Sequence, residues 1–233
     1  EFLPVVESFI MDQVVLNDDE IFVSGGGIFG RLKRGENGRY AYESLVDQVV
    51  DQPEDYGVEG SMLVHNGAVW VSTEKVMFSW REGIVEKVEW PEAKLTKLVS
   101  SRGELFAYRP GEGVYRQRGG EWALEWDQPT LRDLPGRVLM AAADPETDAA
   151  LTVIGAETGI FDLMDGGAFL PAYKEAWGIL ANRRLRHALR LSSGDLAVAG
   201  DQLGMAVVNR SAGVTHWANT ANGLRHDSML GLV

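Results

Sequence analysis

The chain has 233 residues, no cysteine and a formal net charge of −12 at pH 7. This length can bury a core, the lack of cysteine excludes disulfides and thiolate metal sites, and the acidic balance argues against nucleic acid as a partner. No apolar run approaches the roughly 18 residues that cross a bilayer, so we expect no membrane segment within this chain.

From the N-terminus onward, the sequence predicts short β-strands separated by turn residues, and only residues 171–180 suggest a helix. Five apolar strands recur along the chain, centred on Phe22, Trp70, Phe106, Thr152 and Ala197. Successive centres are 48, 36, 46 and 45 residues apart by subtraction. These spacings are close to the roughly 40–45 residues of a four-stranded propeller blade.

A tight turn is predicted three residues before each centre, where the backbone needs a residue that tolerates positive φ. The residues at this position are Asp19, Gly67, Gly103, Ala149 and Gly194. Ala149 fits the position poorly. Asn66-Gly67 is the strongest turn signal, because both central residues of a type I′ turn need positive φ.

Each repeat reads as four strands, with an inner strand before the centre and an aromatic-rich fourth strand at the end. The predicted inner strands are Phe9–Leu16, Ser61–Val64, Leu95–Ser100, Val138–Ala142 and Arg186–Leu191. Stacking such sheets around an axis buries both faces of each. We therefore predict an all-β fold, with residues 1–233 forming a single β-propeller domain or propeller fragment of four-stranded antiparallel blades. Five blades are complete, and a sixth starts at Ser228–Val233.

The two ends of the chain carry strands without an assigned partner, Phe2–Val6 and Ser228–Val233. An open edge strand invites pairing with another strand. We expect either closure of the two ends against each other or self-association through an open blade edge.

Two segments resemble the two-component regulator propeller repeat family of bacterial sensor proteins. Asn222-Gly223-Leu224, followed by a polar spacer and a strand, is similar to the family's blade junction, and residues 66–73 look like its tryptophan-containing hairpin. The resemblance implies a periplasmic or extracellular sensor domain that binds a ligand such as a glycan fragment and has no enzymatic activity of its own. Cysteine usage by itself leaves a cytoplasmic location open.

Several other motifs have a structural interpretation that we favour. Residues 25–30 match G-x-G-x-x-G, but a strand pattern follows them where a nucleotide site needs a helix. The four histidines occupy different registers of the repeat, which argues against a central metal. The acidic segments 17–20 and 144–148 suit solvated turns better than calcium sites. The basic cluster of Arg183, Arg184 and Arg186 is interpreted as a solvated loop, and we predict neither a cofactor nor a metal.

Candidate ligand-binding residues lie in the loops that join second and third strands and in the connections between blades. These segments meet at one mouth of a propeller, and loops on a rigid scaffold are common recognition elements. The predicted residues are Tyr56, Glu74, Lys75, Arg109, Glu112, Glu157, Arg184, Asp201 and Gln202. Their acids, bases and amides suit hydrogen bonds to a polar ligand such as a saccharide.

The sequence thus favours a non-catalytic, ligand-binding sensor propeller whose partner is a small polar ligand or glycan. Two alternatives remain open. One is a propeller enzyme, such as a lyase, lactonase or glycosidase, with its site at the channel mouth. The other is a scaffold that docks another protein.

Overall fold

The computed structural model describes residues 10–89, 96–134, 137–155, 157–181 and 183–226. The chain divides into two compact units, residues 1–98 and 99–233, which are described in turn. The described residues form five four-stranded antiparallel sheets, and in each sheet consecutive strands are neighbours. This architecture confirms the five all-β repeats that the sequence predicts.

Unit 1 contains the first and second sheets. The strands of the first sheet are β1 (Ile10–Asn17), β2 (Glu20–Gly25), β3 (Ile28–Arg34) and β4 (Tyr40–Ser44). The strands of the second sheet are β5 (Glu59–His65), β6 (Ala68–Thr73), β7 (Met77–Arg81) and β8 (Ile84–Lys87). Two short 3-10 turns, Val46–Gln48 and Pro53–Asp55, lie in the connection between the sheets.

An aromatic cluster fills the core of unit 1. Phe22 of the first sheet packs against Trp80 of the second with ring centroids 4.8 Å apart, and Phe29 meets Phe78 at 5.0 Å. All four side chains are buried. The aromatic side chains that the sequence places in strands therefore do pack between neighbouring sheets, where burial of large rings is most stabilising.

Unit 2 holds the remaining three sheets and two short helices. The strands of the third sheet are β9 (Lys97–Ser101), which begins at the unit boundary, β10 (Glu104–Arg109), β11 (Gly113–Arg118) and β12 (Glu121–Trp126). The strands of the fourth sheet are β13 (Val138–Ala142), β14 (Ala149–Gly155), β15 (Gly159–Met164) and β16 (Phe169–Ala172). Those of the fifth are β17 (Arg184–Arg190), β18 (Leu196–Asp201), β19 (Gly204–Asn209) and β20 (Gly213–Ala218).

The helices of unit 2 connect one sheet to the next. Helix α1 (Pro129–Arg132) follows the third sheet and buries Leu131, and helix α2 (Lys174–Leu180) follows the fourth and buries Ala176 and Leu180. Helix α2 lies within the predicted helical stretch. Among the described residues, no helix has the length and apolar character needed to cross a membrane.

The second strand of each sheet is the most buried, as its apolar sequence predicts. Phe22, Trp70 and Phe106 are 0%, 8% and 1% exposed. The Asn66-Gly67 turn has φ of 49° and 74°, which confirms the predicted positive φ at both positions. The predicted turn at Ala149 is wrong. Ala149 is fully buried as the first residue of β14, and residues 145–148 form a longer turn before it.

Ion pairs join neighbouring sheets of unit 2 at equivalent positions. In the third sheet, Arg116 pairs across the strands with Phe106 and reaches Asp165 of the fourth sheet at 2.8 Å. In the fourth sheet, Asp162 occupies the position of Arg116 and lies 2.7 Å from Arg210 of the fifth. Arg210 occupies the position of Asp165. The same inter-sheet contact therefore recurs with its charges exchanged.

Two expectations fall on parts of the chain outside the described residues. The predicted sixth-blade strand, Ser228–Val233, and the N-terminal strand, Phe2–Val6, both lie there. The closure or open edge that we expect from these two segments stays a prediction.

Candidate ligand-binding cleft

A cleft of about 790 Å³ opens in unit 2, beside the end of β18. It lies where the connection from the fourth to the fifth sheet passes the β18–β19 turn. Its lining residues are Gly178, Ile179, Ala181, Arg183, Arg184, Asp201 and Gln202. Ligand sites in proteins commonly enclose about 300–1,000 Å³, so the cleft has room for a small molecule.

The strand register creates this cleft. In the antiparallel β17–β18 pair, Arg184 at the start of β17 is the partner of Asp201 at the end of β18. Helix α2 ends at Leu180, and the Arg183 amide donates to the Leu180 carbonyl at 3.1 Å. The short connection thereby holds the end of the helix beside the strand ends. Arg184 and Asp201, 17 positions apart by subtraction, become neighbours in this way.

Gln202 adopts a backbone conformation that residues other than glycine rarely adopt. Its φ is 58°, in the left-handed region that glycine enters most easily. Gly27 and Gly111 lie at the equivalent turn position of the first and third sheets, each five residues after the central residue, with φ of 69° and 79°. The fifth sheet thus carries an exposed amide side chain where two of its counterparts have none.

Two arginines organise the polar wall of the cleft. The Arg186 Nε donates to Asp201 Oδ2 at 3.0 Å, which fixes the carboxylate. The Arg183 Nη1 donates to the Gln202 carbonyl at 3.1 Å, and its guanidinium lies 5.8 Å from the Trp217 ring centroid. The Trp217 indole in turn donates to the Leu203 carbonyl at 2.7 Å. Both Asp201 and Gln202 are therefore held in place by neighbouring groups.

The arginines also set the charge state of the wall. The hydrogen bond from Arg186, supported by the positive charges of Arg184 and Arg137, lowers the pKa of Asp201. The same hydrogen bond raises the pKa of Arg186. Burial and the like charge of Arg186 lower the pKa of Arg137, against the attraction of Asp201. Arginine nevertheless stays protonated in proteins, so these groups form a cationic cluster around one carboxylate.

The cleft brings together three of the predicted binding residues, Arg184, Asp201 and Gln202. Two other predicted residues of unit 2 pair with each other instead. Arg109 is only 3% exposed and its Nη1 lies 2.7 Å from Glu112 Oε2.

Tyr115 contacts both members of that ion pair. Its hydroxyl donates to Glu112 at 2.7 Å, and its ring lies 5.8 Å from the Arg109 guanidinium. The predicted residue Glu157 is exposed in the turn between β14 and β15 and does not line the cleft.

The three predicted residues of unit 1 occupy different environments. Tyr56 is fully buried, and its hydroxyl shares a 2.7 Å hydrogen bond with Ser24. Glu74 and Lys75 lie exposed in the β6–β7 turn, where the Lys75 ammonium donates to the Glu54 carbonyl at 2.6 Å. Tyr56 thus belongs to the core of unit 1 in the structure, and no signal in its local sequence distinguishes that position from a binding loop.

A second, smaller cleft of about 550 Å³ lies in unit 1 and includes Trp80. Its lining residues include one arginine, Arg31, and three glutamates, Glu20, Glu43 and Glu82. Arg31 pairs with Glu20 at 2.8 Å and with Glu43 at 2.7 Å, and its guanidinium lies 5.6 Å from the Trp80 ring centroid. The lining of this cleft is therefore acidic on balance, in contrast to the arginine-rich lining of the cleft of unit 2.

The other sequence motifs form ordinary structure. Residues 25–30 form the β2–β3 hairpin, and β3 continues where a nucleotide site needs a helix. Among the described residues, no group of three or more histidine, aspartate or glutamate side chains is placed to hold a metal ion. Asp144 departs from the predicted solvated turn, because it is 4% exposed and its Oδ2 accepts from Arg210 Nε at 2.9 Å.

No protein-family model matches the chain, and no curated protein matches it. Solved structures do resemble it. The extracellular domain of a hybrid two-component system of B. thetaiotaomicron is 13% identical over 95% of this chain, with a TM-score of 0.65. A streptogramin B lyase is 12% identical over 96% of the chain, also with a TM-score of 0.65. The WD40 β-propeller domain of Doa1 is 9% identical over 90%, with a TM-score of 0.63.

These similarities show the fold alone. At such identities the chain shares the β-propeller fold with the extracellular domain of a two-component system, a lyase and a WD40 domain, and one fold hosts many functions. The chain spans 30% of the length of the two-component chain, 72% of the lyase and 68% of the Doa1 chain.

Proposed function

We propose that this chain is a non-catalytic, ligand-binding sensor propeller of a bacterial signalling protein, and that it binds a small polar ligand such as a saccharide. The observation that carries the proposal is the cleft of unit 2, where Arg184, Asp201 and Gln202 converge. These side chains offer hydrogen-bond donors and acceptors around a space of ligand size. Their positions at strand ends suit recognition, because loops on a rigid scaffold can specialise without unfolding it.

The geometry favours binding over chemistry. The carboxylate of Asp201 is held ionised by Arg186, and its lowered pKa makes it a poor general acid near neutral pH. Two of the similar structures, the extracellular domain of a two-component system and a WD40 domain, support a binding role by analogy of fold. By the same analogy, we propose a periplasmic or extracellular location.

A propeller enzyme is the second candidate, because the fold is shared with a streptogramin B lyase. An enzyme would convert a bound ligand, whereas a sensor would release it unchanged. Incubation of the chain with a bound ligand, followed by chromatography and mass spectrometry, separates the two functions. Conversion at a rate that an Asp201→Asn variant abolishes would establish the enzyme.

A glycan array probed with the purified chain tests the proposed function, and calorimetry then measures each hit. We expect Gln202→Ala to weaken binding at least several-fold. Ser193→Ala is the matched control, since Ser193 is an exposed residue in the β17–β18 turn, at the opposite end of β18. Absence of binding to every saccharide, or equal affinity of both variants and the wild type, would overturn the proposal.

A further inference from the structure

The cleft of unit 2 carries more positive than negative charge. Arg183 and Arg184 line it, and Asp201 is the one carboxylate among its lining residues. Arg186 and Arg137 add two more positive charges close enough to affect the pKa of Asp201. Two arginines therefore line the cleft and two more act on its carboxylate, in a chain whose net charge is −12.

The single carboxylate leaves most of this charge uncompensated. Asp201 is hydrogen-bonded to Arg186. Among the contacts of the described residues, the Arg184 side chain has no hydrogen bond or ion pair, and it is exposed at the start of β17. Arg183 uses one N–H for the Gln202 carbonyl, out of the five that a guanidinium carries. Donors thus remain for an anion from outside the chain.

Clustered like charges raise the free energy of the empty cleft, and an anionic ligand would relieve that repulsion. Guanidinium groups suit this role because their planar N–H pairs match the two oxygens of a carboxylate. The interpretation of Arg183, Arg184 and Arg186 as a solvated loop is therefore revised, since two of the three line a cleft and the third fixes its carboxylate.

The remaining lining residues suit a saccharide. The Gln202 side chain supplies an amide donor and acceptor for hydroxyl groups, in a backbone conformation that two other sheets give to glycine. Ile179 is 43% exposed and presents an apolar surface on which the C–H face of a sugar ring can pack. A sugar that also bears a negative group would use the amide, the apolar surface and the arginines together.

We infer that the cleft binds an anionic saccharide, one whose rings carry a carboxylate or sulfate, with Arg184 as the main contact for the charge. This inference rests on the proposed function and names its ligand class. Because exposed charges attract each other less as salt increases, the affinity falls when the salt concentration is raised.

An array that presents uronate-containing, sulfated and neutral oligosaccharides tests the inference, using the wild type, Arg184→Gln and the control Arg118→Gln. Arg118 is an exposed arginine on β11 that pairs with Glu125 outside the cleft. We expect binding to acidic members only, a loss of at least ten-fold in Arg184→Gln, and wild-type binding in Arg118→Gln. Calorimetry with trigalacturonate and its methyl ester then compares one sugar with and without its charge.

Asp201→Asn provides a second variant whose expected result cannot arise from misfolding. Removing the carboxylate releases Arg186, so binding of acidic saccharides should strengthen several-fold. Weaker acid binding in this variant, or binding restricted to neutral members, would overturn the anionic inference while the proposed function stands. Binding to no member of the array would overturn both.

Discussion

Replacing Arg210 by alanine should remove the main counter-charge of two buried carboxylates. The Arg210 guanidinium lies 2.9 Å from Asp144 and 2.7 Å from Asp162, whose side chains are each 6% exposed. It also stacks over Tyr173 at 4.9 Å from the ring centroid. The contact joins the fourth and fifth sheets, so its loss should destabilise unit 2.

The expected cost follows from burial. Breaking a buried ion pair by removing one partner costs about 3–5 kcal/mol, because the other charge stays buried without compensation. The Arg210 side chain is 34% exposed, so water screens part of this interaction. Arg190 also lies close enough to lower the pKa of Asp144 and remains in the variant. We therefore expect Arg210→Ala to lower the free energy of unfolding by about 2–3 kcal/mol at pH 7.

The destabilisation should depend on pH with a definite sign. Burial opposes ionisation of Asp144, but the hydrogen bond from Arg210 and other contacts lower its pKa on balance. In the wild type this group stabilises the fold above its unfolded pKa, and that contribution is lost as pH falls through the folded pKa. Without Arg210, burial should raise the pKa, so that Asp144 destabilises the fold at neutral pH and ceases to do so once protonated.

Urea unfolding followed by tryptophan fluorescence at pH 7 and near pH 4 measures both effects. The difference between wild type and Arg210→Ala should shrink toward pH 4. Arg118→Ala removes an exposed arginine 3.2 Å from Glu125 and should cost below about 1 kcal/mol at either pH. A cost for Arg210→Ala below about 1 kcal/mol at pH 7, or one that stays constant with pH, would refute the reasoning.

Three further substitutions test the core, a strained turn and a close backbone contact. Trp70→Ala should cost roughly 3–5 kcal/mol in urea unfolding because Trp70 is only 8% exposed, and a loss under about 1 kcal/mol would contradict its place in the core. Gln202→Gly should leave stability within about 0.5 kcal/mol, since relief of the left-handed conformation offsets the flexibility of unfolded glycine. Ligand affinity should fall in the same variant, and calorimetry showing wild-type affinity would exclude the side chain from the site. Gly113→Ala should lower the melting temperature, because Gly113 has φ of 128° and an added Cβ would collide with the Trp126 carbonyl oxygen. An unchanged melting temperature would show that the β11–β12 contact adjusts freely.

The repeat architecture follows from the sequence because its signals are local. Alternating apolar residues, turn residues and the spacing of the centres near Phe22, Trp70, Phe106, Thr152 and Ala197 predict strands and hairpins from neighbours along the chain. Each centre does lie in the second strand of a four-stranded sheet. Ala149 shows the limit of this reasoning. It fits the common turn position poorly, and in the structure it begins a strand that follows a longer turn, residues 145–148.

The sequence also located part of the candidate cleft. Arg184, Asp201 and Gln202 lie on two kinds of connection that a propeller brings together, and the repeat pattern identifies both. It could not separate these residues from Tyr56, which occupies a similar connection in unit 1. The Tyr56 hydroxyl shares a hydrogen bond with Ser24, which lies 32 positions earlier, and no local pattern records that contact.

Tertiary structure decided which charges are buried, paired or left open. Asp144 and Arg210 are 66 positions apart, and the sequence around each predicts only a polar turn. Their contact forms when the fourth and fifth sheets pack together. The sequence suggested that Arg183, Arg184 and Arg186 form a solvated loop, whereas the β17–β18 register places Arg184 opposite Asp201. The strands and turns of the backbone follow mainly from residues adjacent in sequence, whereas the electrostatic environment of a side chain depends on every element packed around it.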